Sequence, residues 1–101
     1  MSKINSYMGF AKRSGNLIAG AETCIIYMKK KKVKLLLIAE DASENSKKKM
    51  ISSANSFGVR YIVYGDSQEL SKAVGSPGRT VFGILSSDFA DTIEKEIQKD
   101  S

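Results

Sequence analysis

The sequence has no histidine, no tryptophan, one cysteine and one proline among its 101 residues. Without histidine, the usual zinc sites and the Ser-His and Cys-His nucleophile pairs are excluded, and a lone cysteine cannot form an internal disulfide. No uninterrupted apolar run is longer than residues 35–39, which is far shorter than the roughly 20 residues that span a bilayer. Residues 1–20 contain no apolar signal core. We therefore expect a cytoplasmic protein with no metal, no cofactor and no membrane partner.

Composition and charge indicate a globular chain with a polyanionic partner. With 42% hydrophobic and 27% charged residues, residues 1–101 are expected to form a single domain. The net charge of +5 is unevenly placed. Residues 1–50 carry eleven Lys and Arg against four Asp and Glu, a net of +7, whereas residues 51–101 carry five against seven, a net of −2. This asymmetry favours nucleic acid as the partner, although lysine runs are also common at solvated helix ends.

Apolar spacing predicts alternating helices and strands. Helices are expected over residues 2–14, 21–32 and 43–57, with a short fourth helix after residue 66 and a last helix after residue 88. Apolar runs at 17–18, 33–39, 59–64 and 80–85 predict strands, three of them buried. The alternation predicts an α/β fold: a three-layer α/β/α sandwich with a small mixed central sheet.

Several local details follow from the same pattern. Ser2 is expected to cap the first helix, and the Asp41 to Glu44 spacing predicts a capping box for the third, whose inner face would include Phe57. Cys24 falls on the inner side of the second helix and is expected in the core. The outer side of that helix would carry five residues: Glu22, Thr23, Ile26, Lys30 and Val33.

Two places have the chemistry of a site. The turn at Gly20 and Ala21 opens a helix whose first N–H groups lack intrahelical partners, which suits a phosphate or a base edge. Glu40 and Asp41 follow a buried strand, where open sheets often bind ligands, so a paired-carboxylate catalytic site is the competing interpretation. The loop 75–80 lacks the Gly-Lys-Ser/Thr ending of a nucleotide-binding loop and leads into a strand.

Three stretches resemble a known family. Residues 20–43, together with 9–17 (GFAKRSGNL) and 69–75 (ELSKAVG), are similar to the ribosomal-protein family of the L7Ae/L30e type, and in particular to its small bacterial YlxQ-like branch. The similarity spans nearly the whole chain. It implies an α/β/α sandwich that binds RNA, commonly kink-turns, in ribosomes or RNA-processing particles.

The resemblance also implies which residues contact RNA. The family signature Gly-x-Asn-Glu-x-x-Lys aligns with Gly20, Glu22, Thr23 and Ile26, so only the glycine is retained. Glu22 accepts hydrogen bonds only, and Ile26 carries no charge for phosphate. Lys30 lies one turn further on. The family's second contact loop corresponds to residues 76–79. The implied RNA-binding residues are Lys12, Arg13, Gly20, Ala21, Glu22, Thr23, Ile26, Lys30, Pro77, Gly78 and Arg79.

Three functional hypotheses result. The first is a non-catalytic, ribosome- or translation-associated RNA-binding protein, with structured RNA and ribosomal or translation proteins as partners. The second is a protein-interaction module on the same fold, in which Ile26 and Tyr27 dock a protein. The third is a small-molecule enzyme that uses Glu40 and Asp41.

Overall fold

The computed structural model of the protein describes residues 3–100, in which five helices alternate with four strands. The helices are α1 (Lys3–Arg13), α2 (Ala21–Lys29), α3 (Glu44–Phe57), α4 (Ser67–Val74) and α5 (Ser87–Asp100). The strands are β1 (Leu17–Ala19), β2 (Leu35–Ile38), β3 (Tyr61–Val63) and β4 (Val81–Ile84). The expected cap Ser2 lies outside the described residues. Within the described part of the chain, no helix is both long and apolar enough to cross a membrane.

The strands form one mixed sheet in the order β1-β4-β2-β3. β4 pairs antiparallel with both β1 and β2, while β2 and β3 are parallel. Helices α1, α4 and α5 contribute to the core on one face of the sheet, and α2 and α3 contribute to the core on the other. The predicted α/β/α sandwich with a mixed central sheet is therefore confirmed.

The central strands are apolar on both sides because helices cover both faces. Along β2, Leu35 and Leu37 point into the core beside α1, whereas Leu36 and Ile38 point into the core beside α2. All four residues are fully buried. Continuous apolar sequence without alternation is the pattern that such a two-sided strand requires.

The strand directions give the sheet two distinct ends. One end, called the Gly20 end, contains residue 20 and segments 39–41, 64–67 and 76–80, which are joined by backbone hydrogen bonds from Gly20 to Val81 and from Ala39 to Thr80. The other end, called the lysine end, contains residue 16 and segments 30–34, 58–61 and 85. There Lys34 donates to Ile84, and the N–H of Leu85 donates to the carbonyl of Asn16.

Helix α2 ends earlier than predicted. Its last residue is Lys29, and Lys31 adopts a left-handed φ of 60°. The N–H of Lys31 donates to the Met28 carbonyl and that of Lys32 to the Tyr27 carbonyl, at 2.9 and 3.0 Å, which is the Schellman pattern of a helix end. The chain then turns away, so Val33 is buried in the core. The prediction that Val33 lies on the outer side of the helix is wrong for this reason.

The start of α3 also differs from the prediction. Ser43 is the N-cap, and its hydroxyl accepts a hydrogen bond from the N–H of Ser46 at 3.1 Å. Asp41 lies too early in the chain for that position, so the predicted Asp41 capping box is wrong. At the other end of α3, Phe57 is 39% exposed because it occupies the last helical position, beyond the inner face that Met50 and Ala54 define.

Candidate nucleic-acid interface

The turn that joins β1 to α2 requires glycine. Gly20 is buried, with φ 107° and ψ 139°, a conformation that residues with a Cβ atom rarely adopt. Its N–H donates to the Val81 carbonyl at 2.8 Å, and its carbonyl accepts from the N–H of Cys24 at 3.0 Å. No side chain caps α2. The first turn of the helix therefore directs backbone N–H groups outward from the Gly20 end.

Arg79 lies directly on this turn. A Cβ atom placed on Gly20 would be 3.6 Å from Nη1 of Arg79, so the guanidinium packs against the glycine. The four ion pairs formed among the described residues do not include Arg79, which is exposed. The structure thus brings together two features that the sequence placed 59 positions apart, Gly20 and Arg79. Pro77 and Gly78 are exposed in the same loop.

A buried hydroxyl fixes the backbone of Arg79. Ser71, on α4, is only 3% exposed. Its hydroxyl donates to the Arg79 carbonyl at 2.6 Å and accepts from the Arg79 N–H at 2.9 Å. Sequence reasoning missed Ser71. The signal was a polar residue adjacent to Leu70 and one turn before Val74 on the apolar face of a short amphipathic helix.

The outer side of α2 is largely as predicted. Glu22 and Lys30 are exposed, Thr23 is half-buried, and Ile26 is 51% exposed. Nζ of Lys30 lies 5.7 Å from the centre of the Tyr27 ring, a cation–π contact that holds the lysine against the helix. This side of α2 forms a strip about 13 Å long between the Gly20 end and the lysine end.

Ala21 and Cys24 lie on the inner side of the same helix. Ala21 is half-buried and packs against the core, and Cys24 is fully buried, as predicted. Burial raises the pKa of the Cys24 thiol to about 12, because the thiolate would lose its hydration. Cys24 is therefore a core residue and not a reactive thiol at neutral pH.

The remaining predicted cations are not at the Gly20 end. Residues 30–32 follow the last turn of α2, and Lys12 and Arg13 occupy the last turn of α1, which leads through Asn16 into the start of β1. Both segments lead to the lysine end, on opposite faces of the sheet. Sequence reasoning grouped these cations with Gly20 as one face, whereas the fold separates them from it by the length of the strands.

A further arginine at the lysine end is neutralised. Arg60 forms ion pairs with Asp91, at 3.4 Å, and with Glu94, both on α5. Two acidic residues of the C-terminal half thus compensate the charge of Arg60. The lysines of α2 and of the segment after it, by contrast, form no ion pair with any described carboxylate.

Asp41 has a structural contact at the Gly20 end. Its carboxylate accepts hydrogen bonds from the N–H and the hydroxyl of Ser67 at 2.9 and 2.6 Å, and these bonds lower the pKa of Asp41. Asp41 therefore holds the first residue of α4, next to the N-cap Asp66. An exposed carboxylate with a lowered pKa remains ionised near neutrality, which does not suit a general acid.

The protein is a small α/β/α sandwich in which a glycine turn and an arginine loop meet at one end of the sheet. Solved structures share this fold. A solved protein from Bacillus halodurans, described as of unknown function, superposes with a TM-score of 0.91 at 28% identity, covering 97% of this chain and 99% of that one. A 15.5 kD RNA binding protein from Giardia lamblia superposes with a TM-score of 0.74 at 17% identity, covering 94% and 82%, and shows the fold alone.

Sequence comparison identifies the family. Residues 2–94 match the ribosomal protein L7Ae/L30e/S12e/Gadd45 family, and the chain belongs to it. Relatives include the RNA-binding protein YlxQ of Enterococcus faecium, 34% identical over 96 residues, covering 95% of this chain and 92% of the relative. The RNA-binding protein YlxQ of Bacillus subtilis is 28% identical over 86 residues, covering 85% and 86%. The resemblance to the YlxQ-like branch is thereby confirmed.

Proposed function

We propose that the protein binds structured RNA, with a bent, kink-turn-like element held at the Gly20 end. The observation that carries the proposal is the contact of the Arg79 guanidinium with the Gly20 turn. That contact places a cation free of ion pairs beside the first-turn N–H groups of α2, and both are donors for phosphate and base edges. Family membership and the RNA-binding names of the YlxQ relatives support the same function.

Recognition and attraction are divided between the two ends in this proposal. Ser71 holds Arg79 in place before RNA arrives, which lowers the ordering cost of binding. The lysines at the far end of α2 attract the RNA backbone along the outer side of that helix. Glu22 opposes phosphate next to Gly20, so the bent element is gripped by Arg79 and backbone amides in place of the Asn and Lys of the family signature.

The test is a titration of two RNAs, a kink-turn and a straight duplex of equal length and composition, with wild-type protein, Arg79→Gln and Arg60→Gln. Loss of a charge-assisted contact of about 1.5–3 kcal/mol predicts at least a tenfold weaker complex for Arg79→Gln. Arg60→Gln is the matched control, because it removes an equal charge that Asp91 and Glu94 already compensate. If four to six lysines meet phosphates, log K falls with log salt at a slope of roughly −3 to −5.

Equal affinity for both RNAs would contradict the kink-turn part of the proposal, and binding without salt dependence would contradict RNA binding altogether. We also propose that the protein acts in the cytoplasm, that its target is ribosomal or other translation-associated RNA, and that it is not a catalyst. Co-sedimentation with ribosomes at low salt, lost in Arg79→Gln, tests that assignment.

A second candidate rests on Ile26. An isoleucine that is 51% exposed beside the half-buried Tyr27 is a surface on which a protein partner can dock. Ile26→Lys separates the two functions, since it restores a cation at the position of the family lysine. Tighter RNA binding by this variant, by roughly the few-fold gain of one phosphate contact, supports RNA binding through α2, whereas unchanged RNA affinity favours a protein-docking role for this side.

A further inference from the structure

A groove lies between α1 and α4, away from the Gly20 turn. Its volume is about 510 Å³, within the roughly 300–1,000 Å³ that is usual for ligand sites. Helices α1 and α4 approach each other closely at Gly9, which lines the groove. A Cβ atom on Gly9 would lie 3.0 Å from the carbonyl oxygen of Ala73, too close for a larger residue without movement of the backbone.

An exposed aromatic ring and two cations line this groove. Phe10 is 54% exposed, the most exposed large apolar side chain among the described residues. The guanidinium carbon of Arg13 lies 4.9 Å from the centre of the Phe10 ring. Lys72 lines the opposite side on α4, and neither cation is in an ion pair with a described carboxylate. Glu69 is the single acidic residue of the lining.

This combination fits one kind of occupant. An exposed ring stacks on a nucleobase whatever its identity, and the two cations beside it pair with phosphate. Helix α4 links the groove to the proposed interface, since it carries both Lys72 in the groove lining and Ser71, whose hydroxyl holds Arg79. RNA that extended from the Gly20 end along α4 would therefore reach the groove.

We propose that the groove between α1 and α4 binds one unpaired nucleotide of RNA, with its base stacked on Phe10 and its phosphate paired with Arg13 and Lys72. The inference rests on the proposed RNA-binding function, but it concerns a separate surface that recognises single-stranded RNA. It assigns a role to Phe10 and Lys72, which the sequence pattern did not single out, and it gives Arg13 a contact away from Gly20.

The test uses a fluorescent adenosine hexanucleotide as the probe, with binding followed by anisotropy. Because a base gains affinity by stacking on an aromatic ring, Phe10→Ala is expected to weaken binding by about tenfold, whereas Phe10→Tyr is expected to keep the wild-type affinity. Phe57→Ala is the matched control, because Phe57 is also an exposed phenylalanine but lies on α3, in the other helical layer. Thermal unfolding of each variant checks that the fold is retained.

The same variants separate this inference from the proposed function. Arg79→Gln should weaken the kink-turn complex much more than hexanucleotide binding, and Phe10→Ala should have its main effect on the hexanucleotide. Absence of hexanucleotide binding by the wild type would overturn the groove assignment while leaving kink-turn binding intact. Equal losses of affinity in Phe10→Ala and Phe57→Ala would also overturn it. So would a competition experiment in which an uncharged peptide displaces the probe and excess unlabelled hexanucleotide does not.

Discussion

At the Gly20 end of the sheet, hydrogen bonds join separate elements of the fold, whereas the lysine segment 30–32 at the other end is held by the local hydrogen bonds of a helix terminus. Gly20 is bonded to Val81, Ser71 to Arg79 and Asp41 to Ser67. At the lysine end, by contrast, residues 31 and 32 bond only to the last turn of their own helix.

In the proposed function the two ends have correspondingly different roles, recognition at the Gly20 end and attraction at the lysine end. A site that must distinguish one RNA shape from another needs donors at fixed positions, and long-range hydrogen bonds supply that rigidity. Lysines that attract a backbone of repeating charge need no fixed geometry, because their effect on binding acts through charge and counterion release. We therefore expect substitutions at the Gly20 end to change stability and specificity, and substitutions at the lysine end to change mainly salt dependence.

The largest effect is expected from Gly20→Ala, which breaks the ordered end. At φ 107° an alanine is strained by about 1–3 kcal/mol, and the turn against which Arg79 packs is distorted with it. Urea unfolding should show this loss of stability, together with weaker kink-turn binding. Gly75→Ala is the control, since Gly75 adopts the less demanding φ of 69° with no atom within 4 Å of an added Cβ. An equal or larger loss in Gly75→Ala would contradict the special role of the Gly20 turn.

The sequence predicted features that depend on local pattern. The spacing of α2 correctly placed Cys24 inside and Ile26 outside, because a helix fixes the direction of each side chain relative to its neighbours. The apolar run of β2 likewise predicted a strand covered on both faces. The family resemblance supplied Gly20 and Arg79 as candidates, but no local pattern could place them in contact.

What the sequence missed depends on tertiary contacts or on an uncommon backbone conformation. The hydroxyl of Ser71 binds a loop eight residues away, and Asp41 binds the start of α4 in preference to the helix that follows it directly. Lysine at the left-handed position is unusual, so nothing in the run of four lysines marked Lys31 as the turn that ends α2.

A smaller effect, of opposite sign, is expected from Lys31→Gly at the lysine end. Glycine adopts the left-handed φ of 60° without steric cost, so this variant should be more stable by about 0.5–1 kcal/mol in urea unfolding. Lys32→Gly is the matched control, because it removes the same charge where no positive φ favours glycine. Each variant should lower the salt slope of RNA binding by up to about one. If Lys31→Gly and Lys32→Gly have the same stability, the left-handed conformation of Lys31 does not limit the stability of this helix end.

The smallest effect concerns the tie between Asp41 and Ser67, and it depends on pH. The hydrogen bonds from Ser67 lower the pKa of Asp41 below its ordinary value of 3.8, so their stabilisation is fully present above that pH. It is lost as the pH falls through the lower pKa of the folded state. Asp41→Asn should therefore be slightly less stable than the wild type at pH 7, and the difference should shrink below about pH 4.

Urea unfolding at pH 7 and pH 3 measures this change, with Glu40→Gln as the control for loss of a neighbouring carboxylate outside these hydrogen bonds. A stability difference between Asp41→Asn and the wild type that is the same at both pH values would show that the ionised carboxylate does not hold α4. Because the charge of Asp41 would repel phosphate, we expect Asp41→Asn to retain kink-turn binding at neutral pH. That result would indicate that Asp41 supports the Gly20 end structurally and does not contact RNA.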